Sequence, residues 1–364
     1  MVYTMKFPLW SAVLLLPYSQ GYNFIPDDTQ TITDTRIPAL YNISTTQTLP
    51  YKDAPISGFW ASSFLTATDG SQYFLASGVL ASQTVSAYGA SILDLTTHTR
   101  NVYFSPATFT DTNMQSFNFS TPDYEFSGLP PDMLDMKLRS NIQSLFFDVT
   151  LHATSPVIYY CGVGAYNYIN GTMYNWAFPA SKTSGTISVP STSTGTKTNP
   201  DTLEKIELDP ENSLTWYDRV WGAAELRNGN STFFNLYFDD SDLVLFAPLV
   251  DSYGPLFTSR SANIHERGQN WHHLVPVDAF QPSETETWTS HRTGLVYPQE
   301  WTFSVEGRGE FTVRSVVGDQ EFAVDGGAGE GGATYIGFVE FEGVFDGEEV
   351  RGFGGVELRL AALV

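Results

Sequence analysis

The segment Ser213–Gly222, SLTWYDRVWG, places two Trp, a Tyr, an Asp and an Arg within six consecutive positions. Read as a strand, it puts Trp216, Asp218 and Val220 on one face and Tyr217, Arg219 and Trp221 on the other. An aspartate among aromatic rings loses hydration, which raises its carboxyl pKa unless a cation such as Arg219 answers the charge. A carboxyl kept protonated near neutrality can protonate a leaving hydroxyl or an alkene. The same residues also read as an ordinary Asp–Arg pair between core tryptophans. The strand pattern leaves both readings open.

A second group is Asn270-Trp271-His272-His273, with His265 and His291 not far away in sequence. Adjacent histidines on a strand point to opposite faces. They do not share a metal without a bulge, and no third ligand sits at a zinc-like spacing. His272 or His273 could act as an acid or base, since an unperturbed imidazole titrates at roughly 6.5. A solvated loop histidine is the plainer alternative. Phe59-Trp60, Tyr166-Asn167-Tyr168 and Tyr297-Pro298 add aromatic rings with polar tips. Such rings wall sites for flat or terpenoid ligands, and they equally fill a β-barrel. There is no GxSxG elbow, no dinucleotide fingerprint and no HExxH. The glycine-rich stretch Gly326–Gly332 lacks the Lys-Ser/Thr and the helix of a phosphate loop. The expected site is free of cofactor and metal, and takes a hydrophobic small molecule.

The elements that must position these residues are strands. Gly58–Leu65, Gln72–Leu80, Leu145–Leu151 and Val157–Val163 are apolar or alternating runs bounded by turn residues. Thr68-Asp69-Gly70-Ser71 reads as the turn between the first two. In the second half, Phe233–Phe238 pairs with Leu243–Ala247, Trp301–Val305 with Phe311–Val317, and Tyr335–Phe345 with Val350–Leu360. The last pair turns at Asp346-Gly347, a favoured type I′ dipeptide. Consecutive hairpins close most simply into an up-and-down barrel. Asp132–Ser140, entered through Pro130-Pro131, is the best helical candidate. Ser181–Pro200, rich in Ser, Thr and Gly, reads as a linker or a polar hairpin around Gly185–Val189, and marks the boundary between halves. The expected plan is all-β, with sandwich- or lipocalin-like domains at 22–200 and 201–364.

The chain's 364 residues favour two domains. With 40 acidic against 18 basic residues its formal charge is −22. That surface repels polyanions, so nucleic acid is a poor partner. Lys6 followed by the apolar run Phe7–Tyr18 and then Ser19-Gln20-Gly21 reads as a secretory signal over residues 1–21. It is too short to span a bilayer, and no later run replaces it. Sequons at Asn42, Asn118, Asn170 and Asn230 agree with secretion and with N-linked glycans. Cys161 is the single cysteine, so no intrachain disulfide forms, and its apolar neighbours point to a buried thiol.

Several segments together resemble the carotenoid-hydratase, lipocalin-like superfamily. SGFWASSFLTATDGSQYFLASGVL resembles its first hairpin and SLTWYDRVWG its central signature. YPQEWTFSVEG, then DQEF, and the closing YIGFVEFEGVFDGEEVRGFGGVEL resemble its final hairpins. The likeness spans about residues 55–360, and its signatures are best kept at 213–222 and 296–358.

The resemblance implies two consecutive lipocalin-like domains with a ligand cavity in or between them. Members of the superfamily include carotenoid hydratases, the secreted fungal kievitone hydratase and fungal Diels–Alderases. The signal segment and sequons look more like the secreted members. Decalin-forming Diels–Alderases lack the WYDR segment as it stands here. Two chemistries follow from the likeness, and they share a first proton transfer. One is dehydration-coupled hetero-Diels–Alder addition of a quinone methide, for instance from a tropolone, to a terpene alkene such as humulene. That addition is the preferred reading, and hydration of a prenyl alkene is the alternative. Asp218 is the expected acid, with His272 or His273 second, and Arg219 is expected on a tropolone or phenol oxygen. Trp60, Trp216, Tyr217 and Trp221 are expected to orient the reactants, with Tyr166, Tyr168, Trp271 and Tyr297 as further lining. A non-catalytic carrier of a hydrophobic metabolite would use the same cavity without the acid.

Overall fold

The computed structural model describes residues 21–28, 39–50, 53–82, 86–142, 144–168, 171–191, 199–223, 229–252, 258–267, 269, 271–323 and 333–360. Residues 1–20 of the expected signal, Asn170 and the Gly326–Gly332 stretch lie outside them.

The first sheet begins as a meander of β1 (Ile56–Thr66), β2 (Gln72–Ser82), β3 (Ala87–Asp94) and β4 (Arg100–Pro106). Its first turn is the expected one, with Gly70 at φ 90° and the Asp69 carboxylate accepting from the Ser71 N–H at 2.9 Å. It continues with β5 (Asn118–Ser120), β6 (Tyr124–Gly128), β7 (Met136–Ile142) and β8 (Leu145–His152). The short β9 (Ile158–Tyr159) and β10 (Ala165–Tyr168) lead to β11 (Gly171–Ser191), β12 (Asn199–Glu207) and β13 (Leu214–Gly222). In space β13 lies between β1 and β11, in the middle of the sheet. The sheet curls into a half-barrel around its own core. Tyr88 of β3 stacks on Tyr124 of β6 with ring centroids 3.9 Å apart. Helix α1 (Ile43–Gln47), N-capped by Asn42, packs on this core, and α2 (Asp111–Ser116) starts with a Thr110–Asn113 capping box.

The second sheet is the expected up-and-down barrel. It runs through β14 (Gly229–Phe238), β15 (Leu243–Ser252), β16 (Thr258–Glu266) and β17 (His272–Pro282). A small ribbon of β18 (Thr287–Thr289) and β19 (Val296–Pro298) precedes β20 (Glu300–Val305) and β21 (Gly309–Ser315). After β22 (Glu321–Phe322), β23 (Thr334–Phe345) and β24 (Glu348–Arg359) close it, because β23 pairs with β21 and β24 with β14. Closure leaves no free edge in the ring. Asp346 and Gly347 both have positive φ, as a type I′ turn requires.

Two local expectations fail for physical reasons. Residues 136–140 of the helical candidate are strand β7, because burial alternates: Met136, Leu138 and Ser140 face inward. Lys137 and Arg139 face outward and pair with Asp148 and Glu125 of neighbouring strands. The period is two, not 3.6. Of the two readings of Ser181–Pro200 the linker fails and the hairpin stands: its first half, Gly185–Val189 included, extends β11, which pairs antiparallel with the next strand β12 through Thr186↔Glu207. The last strand of the first sheet, β13, ends at Gly222, and the first strand of the second, β14, begins at Gly229.

An apolar layer joins the two sheets. Phe64 and Phe74 of the first meet Tyr237, Phe338 and Phe353 of the second, and Phe24 from the N-terminal stretch packs among them. The Arg100 guanidinium crosses the layer, donating to the carbonyls of Asp319 and Glu321 at 3.1 Å each.

Candidate functional site in the layer between the sheets

Strand β13 divides its side chains as the alternation requires. Tyr217, Arg219 and Trp221 face the half-barrel core, while Trp216, Asp218 and Val220 face the second sheet. Two adjoining hollows lie in that layer. They share Trp60, Phe233, Asp218 and Glu357, so both aromatic rings and both carboxyls stand at their junction. The larger hollow extends past Tyr160, Tyr166 and Tyr168 to Arg359. The smaller is walled by Trp216, Phe246, Phe234 and Ile336.

Asp218 is buried. It accepts from the Tyr160 hydroxyl at 2.8 Å, from the Asn175 amide at 3.5 Å and from the Trp216 indole. Loss of solvation and the nearby Glu357 carboxylate raise its pKa to about 7, against the pull of those three donors. Tyr160 sits on a tight turn between β9 and β10, with Cys161 in the left-handed region at φ 52°, and its ring packs on Phe246 at 4.0 Å. Burial first, then the adjacent Asp218, drives its phenol pKa far upward, so it stays a donor. Cys161 itself is only partly buried, with Sγ 4.0 Å from the Ser261 hydroxyl.

Trp60 lies flat across the first sheet because Gly78 stands opposite it: a Cβ there would come within 1.9 Å of the indole. Two buried polar atoms of the lining, the Trp60 indole N–H and the Asn175 carbonyl oxygen, have no partner. On the barrel side, Arg359 donates to Glu357 through Nε at 3.1 Å.

The remaining expected site residues lie elsewhere. Arg219 does not reach Asp218 or either hollow. Its guanidinium donates to the carbonyls of Thr46, Gly58 and Val220 and to the Ser57 hydroxyl, and stacks over Phe59 at 4.1 Å. Burial lowers its pKa to about 10. Tyr217 donates to Gln47 at 2.7 Å, and Trp221 stacks with Tyr174 at 5.5 Å. Arg219 and Tyr217 fasten α1 and β1 to β13, and Trp221 packs on β11. His272 pairs with the buried His265, while His273 is exposed beside Trp271, and none of them lines a hollow. Tyr297 is buried inside the barrel, donating to Glu321 at 2.8 Å. Asn42, Asn118 and Asn230 are exposed. Among the described residues no His, Cys, Asp and Glu cluster could hold a metal, and no helix is long and apolar enough to cross a membrane.

Sequence reasoning passed over Tyr160, Asn175, Phe233, Phe246, Glu357 and Arg359. A signal existed for two of them: in GFGGVELR, Glu357 and Arg359 alternate onto the same face as Phe353, an apolar face otherwise.

No family model matches the chain. Kievitone hydratase of Fusarium solani subsp. phaseoli is 31% identical over 349 residues, covering 96% of this chain and 94% of that protein. Dehydratase asqC of Emericella nidulans is 28% identical over 340 residues, covering 89% and 90%. The crystal structure of kievitone hydratase from Nectria haematococca matches with a TM-score of 0.81 at 26% identity, covering 94% of this chain and 99% of that one. Similar in sequence along almost its whole length and sharing the two-sheet architecture, the chain belongs to the lipocalin-like kievitone hydratase family.

Proposed function

We propose that the protein is a cofactor-free hydro-lyase of natural-product chemistry, removing water from, or adding it to, an apolar substrate that carries an oxygenated ring. The observation that carries this reading is Asp218: a carboxyl at the junction of two aromatic hollows, protonated in good part at neutral pH. As an acid it gives its proton to the oxygen of a tertiary or benzylic hydroxyl, the C–O bond breaks, and water leaves. Cationic character developing at carbon is met by the faces of Trp60, Trp216 and Phe246. Tyr160, Trp216 and Asn175 stabilise the carboxylate left behind, and their fixed positions lower the cost of that charge. In the addition direction, Asp218 takes the proton from attacking water. The hydratase and the dehydratase among the relatives support both directions.

A second reading rests on the paired hollows. Two chambers meeting at one acid suit two reactants: a quinone methide, formed by loss of water in one, is captured by a terpene alkene held in the other. Orientation would then supply much of the rate. Secretion and N-glycosylation at Asn42, Asn118 and Asn230 belong to the same proposal, and a mass decrease on enzymatic deglycosylation tests them.

The deciding experiment supplies the secreted protein with a hydroxymethyl tropolone and humulene, and separately with a prenylated phenol and its hydrate. Interconversion of phenol and hydrate, 18 mass units apart (one water), supports the hydro-lyase. A coupled adduct minus one water, with one stereoisomer dominant, supports the cycloaddition. Tight binding without conversion identifies a carrier and overturns both.

A further inference from the structure

The site holds a second carboxyl that the first proton transfer does not use. Glu357 comes from β24 of the barrel and Asp218 from β13 of the half-barrel, and both line both hollows. Their settings differ. Asp218 is ringed by neutral donors from its own sheet, whereas Glu357 is ion-paired to Arg359 two residues along its own strand. The titratable and charged groups facing the pair are Tyr160, Tyr166 and Tyr168 from the first sheet and Arg359 from the second. The three phenols are all pushed upward by burial first, so none of them serves as a base near neutrality.

Moving water on or off a carbon skeleton needs two proton positions, one at oxygen and one at carbon. We infer that Glu357 is the second proton-transfer group of this site, working at carbon while Asp218 works at oxygen. The inference rests on the hydro-lyase reading. In elimination, Asp218 protonates the hydroxyl and the C–O bond breaks, releasing water. The Glu357 carboxylate then removes the proton from the adjacent carbon, and that C–H pair becomes the new C=C bond. One proton has left Asp218 and one has reached Glu357, so a single transfer back between them, directly or through the released water, restores the resting state. Addition runs the same path in reverse. Arg359 is a positioning residue: its Nε donates to the Glu357 carboxyl at 3.1 Å and holds it at the junction of the two hollows. Two carboxyls in contrasting environments, split into acid and base, follow a general pattern of catalytic sites.

The test uses the full-length protein and 2-(3-hydroxy-3-methylbutyl)phenol as probe, with its alkene as product, from pH 5 to 9. Glu357→Gln is expected to lower kcat by about 100-fold or more with little change in KM, the usual weight of a positioned acid or base. The residual activity carries a second signature. Activity needs protonated Asp218, so it falls as pH rises through that pKa. Removing the like charge of Glu357 moves this fall to lower pH. The neutral pair Glu357→Gln, Arg359→Gln guards against misfolding from an unpaired, partly buried cation, and is expected to match the single variant in kcat. Retention of kcat within about threefold in either variant, while Asp218→Asn is inactive, overturns the role of Glu357 and leaves the acid in place. Conversion by Asp218→Asn, or none by the unaltered protein, removes the underlying reading itself.

Discussion

At the scale of single residues, the acid is held at a cost to the fold. Asp218 titrates at about 7 in the folded chain against an ordinary 3.8. A raised carboxyl pKa means the folded state binds the extra proton, so this group's contribution is full below pH 4 and is lost as pH rises through 7. At about 1.4 kcal/mol per unit the difference is on the order of 4 kcal/mol. Asp218→Asn is therefore expected to be inactive yet to melt higher than the parent at pH 8, with the gain vanishing near pH 4. Thermal unfolding across that range checks it, and an unchanged difference contradicts it. Gly78 is the other single-residue test. A Cβ within 1.9 Å of the Trp60 indole forces the ring off the sheet and into the hollows. Gly78→Ala is expected to weaken ligand binding at least about tenfold, the equivalent of ~1.4 kcal/mol, by tryptophan fluorescence titration.

At the scale of elements, β13 explains why the sequence was legible in part. Its alternation alone separated Asp218 from Arg219, because strand side chains must point to opposite faces. Which face held a cavity and which held a core was invisible, because both faces are aromatic. The arginine went to the core, where the carbonyl ends of α1 and β1 occupy its donors. Removing it strands those buried acceptors. Arg219→Met is expected to destabilise by about 2–4 kcal/mol while leaving the product pattern unchanged, measured by denaturant unfolding beside the turnover assay. A changed product with unchanged stability would return Arg219 to the substrate. The β7 error has a similar root: a Pro-Pro entry and two acids imitate a helix start, and only the cross-strand partners of Lys137 and Arg139 reveal the strand. The barrel hairpins were readable because their turns are encoded locally, as at Asp346-Gly347.

For the whole molecule, the site exists only where two sheets meet. Asp218, Tyr160 and Trp60 come from one sheet, and Glu357, Phe233 and Phe246 from the other. No local pattern shows that an outward face of a barrel strand will meet a particular strand some 140 residues earlier, which is why the barrel's share of the site was passed over although the alternation of Glu357 and Arg359 was readable. The aromatic layer sets the alignment. Phe353 sits at its centre, 4.8 Å from Phe24, 5.2 Å from Phe64 and 5.2 Å from Tyr237. Phe353→Ala is expected to lower stability by about 3–5 kcal/mol. It is also expected to lower kcat more than substrate affinity, since it loosens one carboxyl against the other. Equal unfolding midpoints for variant and parent would show that the layer does not hold the sheets in register.

The central claim is that a protonated Asp218 between the sheets drives the chemistry, and turnover against affinity in Asp218→Asn tests it most directly. The account predicts that conversion of the hydrated prenylphenol is lost while its dissociation constant stays within about threefold of the parent's, because an amide keeps the shape but not the acid. Conversion retained at the parental rate would contradict it.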